Sequence, residues 1–334
     1  MSASRTFEMR QAVRTKTPLW IALGGPSGGG KTLSALRLAT GITKVFGGKI
    51  GVIDTEAERA RHYAPVPGAK ADPPRTFDFL HIPFGAPFGS LDYLAAVEHC
   101  AANGVTVAIV DSFSHEHESI GGVLEQFEEE LERLSKGDQG KAERVKMLAW
   151  KKPKMNRRRM INGMLQMPIS IIGCFRTKDK LKLQRGQDPM HLGYMPITGD
   201  EMIFEFPTRC LLKPRSDGRP CLNTDEPGEK EWTRIPEQFR KLLAGDKSLD
   251  ESIGEEMAKW AAGDSAVTPK PTVNKLVARL VGLSTGIDAV EAETRILARN
   301  LSDADLTKAG LAIKAGAKFD EEFPPLPAGE DAAK

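Results

Sequence analysis

The chain has 334 residues, 40% hydrophobic and 28% charged, with a formal net charge of +2. That composition suits a globular protein with one large domain and a smaller attachment. No run of about 18 apolar residues occurs, which excludes a membrane-spanning helix, and the first residues lack the apolar core of a secretory leader. Cys100, Cys174, Cys210 and Cys221 follow no CxxC spacing. A zinc site or disulfide framework is therefore not expected, and the reducing cytoplasm is the expected location.

Residues 1–17 read as an N-terminal extension. The apolar run 18–25, stopped by glycine, predicts a buried strand; 31–46 follows as a helix, with Leu33, Leu36, Ala39 and Ile42 at helical spacing. Residues 49–56 predict a second buried strand. Residues 64–90, rich in Pro and Gly, predict an irregular excursion with one short strand at 76–82. A helix at 91–104 and a strand at 105–112 come next, then a long helical tract from about 122 to 167, broken at 135–140, and a fourth strand at 168–175. Strands alternating with helices predict an α/β fold with a mainly parallel sheet flanked by helices. Beyond Gly199 the pattern reads as strand, turn, strand, with Asp217 and Gly218 at the turn, and 250–263 as a closing helix. Composition marks 264–272 as a linker, 273–318 as a small helical appendage and 319–334 as an acidic, disordered tail. That tail suits competition for a basic surface, partner recruitment, or simple solubilisation.

Gly25, Pro26, Ser27, Gly28, Gly29, Gly30, Lys31 and Thr32 fit GxxxxGK[ST], the Walker A loop, with a strand before and a helix after. Glycines let backbone N–H groups turn inward around phosphates, and the helix N-terminus adds positive potential. Lys31 is placed to reach the β and γ phosphates and Thr32 to ligate Mg²⁺; Leu33 completes the nucleotide-binding set. Asp111 ends an apolar strand where a second carboxylate holds Mg²⁺, or else caps the next helix. Asp54 and Glu56 end the second strand, at the edge where ligands gather in open α/β sheets. A carboxylate facing a γ-phosphate orients or deprotonates water, which a small-molecule kinase would not want. Glu56 therefore favours hydrolysis; a solvated loop glutamate is the plainer alternative.

With "GPSGGGKT", "GVIDTEAERARHYAPVPG", "DSFSHEHESIGGVL", "AWKKPKMN" and "ITGDEMIFEF" in this order, the chain resembles the RecA-like recombination ATPases. Within them it looks most like the phage ATP-binding proteins related to ATP-dependent single-strand annealing proteins, also described as AAA-type phage nucleotide-binding proteins. The resemblance covers 18–263 and implies a RecA-like P-loop NTPase core with ATP and Mg²⁺ as cofactors. Glu56 and Lys31 are then catalytic, and Thr32 and Asp111 serve the metal. It further implies single-stranded DNA as partner in annealing or strand pairing, and a homo-oligomer, ring or filament. A single-stranded-DNA-binding protein is a further candidate partner, in a host bacterial cytoplasm if the origin is viral.

The chain departs from that pattern in places. His115 matches the "DSxSH" block, but His117 stands where relatives carry tryptophan. Trp150, Lys151 and Asn156 match the next block, with Met155 in place of an expected histidine. In RecA itself a glutamine on the fourth strand senses the γ-phosphate. The corresponding place is near Cys174, which cannot make the same hydrogen bonds, so His115, Arg176 and Lys178 become the sensor candidates. A metal site at His115 and His117 is disfavoured, because residues two apart point apart on a helix.

Charge is segregated. From Glu116 to Glu132 there are seven glutamates and no Lys or Arg; from Lys141 to Arg185 there are fourteen Lys or Arg against Glu143 and Asp179. Lys151, Lys152, Lys154, Arg157, Arg158, Arg159, Lys180, Lys182 and Arg185 are the DNA-binding candidates, suited to salt-sensitive backbone contacts, with Trp150 and Phe175 for base stacking. Some of these arginines are also candidates for acting in trans on a neighbour's ATP. The alternative is a solvated face that pairs with the acidic stretch, within or between subunits. Two other functions remain open: a small-molecule or nucleoside kinase, and a non-hydrolysing nucleotide-dependent adaptor or switch.

Overall fold

The computed structural model of the chain describes residues 15–182, 188–244 and 247–263, with a few isolated positions outside them. The chain divides into two compact units, Met1–Asp264 and Ser265–Lys334. In the second unit only scattered positions are described, among them Phe319 and Phe323, whose rings lie 5.1 Å apart. The expected linker, appendage and tail otherwise fall outside the described residues, as do Arg185 and most of the N-terminal extension.

The first unit runs β1 (Trp20–Gly25), α1 (Lys31–Phe46), β2 (Lys49–Asp54), a 3-10 turn (Arg59–Tyr63), β3 (Leu80–Pro83), α2 (Ser90–Ala102) and β4 (Val105–Asp111). Four helices come next, α3 (Ser114–Glu118), α4 (Val123–Ser135), α5 (Gln139–Ala149) and α6 (Lys151–Leu165). The rest is β5 (Ser170–Lys182), β6 (Met190–Pro196), α7 (Asp200–Phe204), β7 (Thr208–Leu211), α8 (Pro227–Trp232), α9 (Glu237–Leu243) and α10 (Glu251–Ala262). Six strands form a parallel sheet in the order β3-β2-β4-β5-β1-β7, and β6 pairs antiparallel with the far end of β5.

Strand alternation divides the core. Ile21, Leu23, Val107, Ile109 and Ile172 face one side, under α1, α9 and α10. Trp20, Ala22, Ala108, Val110, Ile171 and Phe175 face the other, under α2, α6 and α8. A parallel sheet buried on both faces has no solvent side, so its strands are apolar throughout rather than alternating. Among the described residues no helix is long and apolar enough to cross a membrane, and all four cysteines are free.

Three expectations change. The helical tract has its expected break, at 136–138, but also a second at Trp150, giving α4, α5 and α6. Residues 200–223 are not strand, turn, strand: 200–204 is helix α7, only Thr208–Leu211 is a strand, and Asp217 and Gly218 form a left-handed turn. Beyond that turn the chain returns to β7 through Cys221 N–H to Leu211 O at 2.7 Å and through an isolated antiparallel bridge between Arg209 and Arg234. The fourth strand runs on past 175 to Lys182, because β6 supplies it with a partner.

Candidate functional site

The glycine-rich loop joins β1 to α1 by a turn that L side chains resist. Gly28 and Gly30 have φ of +77° and +83°, the left-handed region open to glycine at little cost. Gly30 is the residue before the first turn of α1, so the helix opens with Lys31 and its unpaired N–H groups face the loop. Lys31 is 8% exposed, and its ammonium donates to the carbonyls of Gly25 and Pro26, both at 2.9 Å.

Thr32 lies one residue on, and its hydroxyl donates to Asp111 Oδ2 at 2.5 Å. Asp111 ends β4, where it pairs in register with Asp54 of β2 on one side and Cys174 of β5 on the other. Burial pushes its carboxyl above the usual range, against the pull of the Thr32 hydroxyl and the Lys31 charge. A buried carboxylate so poorly compensated, beside a hydroxyl, suits one edge of a Mg²⁺ shell whose remaining ligands are phosphates and water. Among the described residues no group of three His, Cys, Asp or Glu could hold a metal. A cage of that kind is not what such an ion needs.

Asp54 and Glu56 sit two residues apart but do different work. Asp54 is 2% exposed and braces the loop after β2. Its Oδ1 accepts from the Glu56 N–H at 2.8 Å and its Oδ2 from the Ala60 N–H at 2.9 Å, with His81 Nε2 at 3.2 Å. That bracing turns Glu56 toward the glycine loop. Glu56 shares a cleft of about 380 Å³ with Gly28, Lys31, Thr32, Asp111 and Arg176. Both its oxygens are taken by Arg176, with Nε to Oε1 at 2.8 Å and Nη2 to Oε2 at 2.6 Å. Burial raises its proton affinity, but the Arg176 guanidinium outweighs this, helped by His115 and Lys31, and leaves the carboxyl below its ordinary value. Glu56 is thus held ionised.

The other candidates separate. His115 is buried, its Nδ1 2.8 Å from Thr55 Oγ1 and its Nε2 3.9 Å from Glu56. Burial, then Arg176, pushes its pKa down, against the pull of Glu56 and Glu118. Arg176 lines the cleft of its own chain. Lys178 pairs with Glu118 at 2.8 Å outside the cleft. Cys174 is fully buried and burial holds its thiol protonated.

The basic tract splits. Arg157 is not a surface cation: it is 3% exposed and grips Glu116, itself 1% exposed, through Nη2 to Oε2 at 2.7 Å and Nε to Oε1 at 3.1 Å. Its position on the inner face of α6 puts it there. Phe175 is likewise no stacking platform, being fully buried among Phe113, Phe206 and Trp232. Trp150 stacks on Phe127 at 4.1 Å. Lys152 pairs with Glu130 at 3.0 Å, so the acidic stretch does pair with the basic one, at Glu116, Glu118 and Glu130. Lys151, Lys154, Arg158, Arg159, Lys180 and Lys182 remain exposed. Lys180 acts on His117, which also contacts Arg157, so the β5–β6 ribbon and α6 adjoin there.

Arg59, His62 and Tyr63 also line the cleft, and sequence reasoning passes over all three. The signal available is "RARHY" directly after the carboxylate. Thr55 escapes it too. Its N–H bonds Asp111 O at 2.7 Å and its hydroxyl accepts from Ser112 N–H at 2.7 Å, tying the ends of β2 and β4 together.

No protein-family model matches this sequence, and no curated protein sequence matches it either.

Proposed function

We propose that the protein is a RecA-like P-loop ATPase that binds ATP with Mg²⁺, hydrolyses it, and acts on single-stranded DNA in annealing or strand pairing. One observation carries the ATPase reading: Lys31, the Thr32–Asp111 pair and Glu56 line a single cleft at the carboxyl ends of parallel strands, where open α/β sheets take their ligands. The glycine loop offers phosphates inward-turned N–H groups, and Lys31 exchanges two backbone carbonyls for phosphate oxygens. Thr32 and Asp111 would hold Mg²⁺, which neutralises charge on the transferred phosphoryl group. Glu56, ionised, accepts a hydrogen bond from the attacking water and orients it. Thr55 and His115 keep the loop that carries Glu56 in register with the end of β4.

The DNA part rests on the resemblance and on the exposed cations of α6 and the β5–β6 ribbon, which suit contacts to a phosphate backbone. The test is ATP hydrolysis with and without single-stranded DNA, at low and moderate salt, in wild type and Lys31→Ala. Salt-sensitive stimulation that vanishes in the variant is expected. Turnover indifferent to DNA sinks the DNA part. ATP binding without turnover favours the adaptor reading, which the occupied Glu56 carboxylate also suits.

A further inference from the structure

We infer that Arg176 is a cis-acting positioning residue that exchanges Glu56 for the terminal phosphate of a bound nucleoside triphosphate, so that the triphosphate itself releases the water-orienting carboxylate. The inference rests on the cleft being a nucleotide site. Arg176 pairs in the sheet with Gly25, the first residue of the glycine loop. Its backbone is fixed at both ends, with N–H donating to Ser114 Oγ at 2.9 Å and O accepting from Ile197 N–H at 2.8 Å. The side chain is 38% exposed and lines the same cleft as Lys31 and Thr32. A fixed backbone with an unconfined guanidinium can swap partners without moving the sheet.

The two partners compete on equal terms. Guanidinium binds carboxylate and phosphate alike through two parallel N–H···O bonds. While Arg176 holds both oxygens of Glu56, those oxygens are directed away from a water. A terminal phosphate in the cleft draws the guanidinium over and leaves Glu56 free. A diphosphate lacks that group and leaves the pair intact. Arg176 therefore adds to the contact of Lys31 a preference for triphosphate that the backbone of the glycine loop, which holds the inner phosphates, does not supply. Around Glu56 the other basic groups are Arg59 from the 3-10 turn, the titratable His115 from α3 and Lys31 from α1. None of these holds both carboxylate oxygens.

The experiment measures equilibrium binding of fluorescent ATP and ADP, with Mg²⁺, to the full chain and to Arg176→Ala, Arg176→Lys and Glu56→Gln. Expected is a fall of about tenfold or more in the ATP-over-ADP preference for Arg176→Ala, the size of a charge-assisted contact, with ADP binding retained. Arg176→Lys restores only part of it, because a lysine is a point charge. Glu56→Gln, which frees Arg176 from its ionised partner, binds ATP more tightly than wild type and ADP no more tightly. An unchanged ATP-over-ADP ratio in Arg176→Ala, or weaker ATP binding in Glu56→Gln, overturns the exchange while leaving the nucleotide site standing. Failure of the wild-type chain to bind either nucleotide overturns both.

Discussion

The cleft and the basic tract treat charge in opposite ways. At the cleft, side chains far apart in sequence converge: Glu56 and Arg176, 120 residues apart, share two hydrogen bonds. In the basic tract, neighbours in sequence part company. Arg157 is 3% exposed and bound to Glu116, whereas Arg158 and Arg159 beside it face solvent. A glycine loop makes its site from backbone conformation, which is local and written in the residues. A charged helix makes its surface from orientation, which is decided by what the helix packs against. A run of like charge is therefore a weaker statement about function than a loop of fixed backbone shape.

The sharpest way to break that comparison is the Arg157–Glu116 pair. If Arg157 belonged to the surface, Arg157→Leu would leave stability alone. Buried as it is, the substitution strands Glu116 and is expected to cost roughly 3–5 kcal/mol in chemical denaturation. Glu116→Leu with Arg157→Leu together is expected to recover most of that loss, because no unpaired charge remains. Less costly to the fold, and aimed at the other half of the tract, is the triple replacement of Lys151, Arg158 and Arg159 by alanine. Stability is expected to stay within about 1 kcal/mol. The slope of log affinity for single-stranded DNA against log salt is expected to fall by about 2, at roughly 0.7 for each phosphate that is no longer neutralised. An unchanged slope removes the outer face of α6 from the proposed DNA surface.

A smaller effect tests the cleft. The folded pKa of Glu56 lies below its ordinary value of 4.5, so its contribution to stability is complete above that value. It is lost as pH falls through the folded pKa, since the unfolded chain takes the proton first. In Arg176→Ala the burial cost is no longer offset, and the trend at Glu56 reverses: protonation then favours the folded state. The difference in denaturation midpoint between wild type and Arg176→Ala is therefore expected to narrow on going from about pH 7 to about pH 4. A constant difference breaks the assignment of the depressed pKa to Arg176.

Legibility follows the same division. The strands at 20–25, 49–54 and 105–111 and helix α1 can be read to within a residue or two, because buried parallel strands are uninterrupted apolar runs. Lys31, Thr32, Asp111 and Glu56 are legible as a set because each sits at or just beyond the end of such a run. Strand β6 is not: "MHLGYMP" carries a glycine and a proline and exists as a strand only because β5 runs on to meet it. The segment "EMIF" carries a short apolar run that reads as a strand yet forms helix α7, its first turn opened by Asp200 and Glu201, where acidic residues favour a helix N-terminus. The clamp on Glu56 is invisible for another reason. Arg176 reads as a charge after a strand, but only the parallel register of β1 with β5 brings it beside the glycine loop.

The smallest expected effect concerns Lys178, where cleft and ribbon meet. It lies two residues beyond Arg176 on β5 and pairs with Glu118 at 2.8 Å, with the two side chains 61% and 25% exposed. An ion pair so open to solvent contributes at most about 1 kcal/mol, so Glu118→Gln is expected to leave stability nearly unchanged. It does, however, release one cation on the strand that carries Lys180 and Lys182. If the ribbon contacts a phosphate backbone, the freed Lys178 adds one contact, and the salt slope for single-stranded DNA steepens by about 0.7. Glu118→Gln thus moves in the opposite direction from the α6 triple, although both substitutions lie outside the cleft. A slope unmoved by Glu118→Gln but lowered by the triple would confine the DNA surface to α6 and leave the ribbon beyond Arg176 without a part in it.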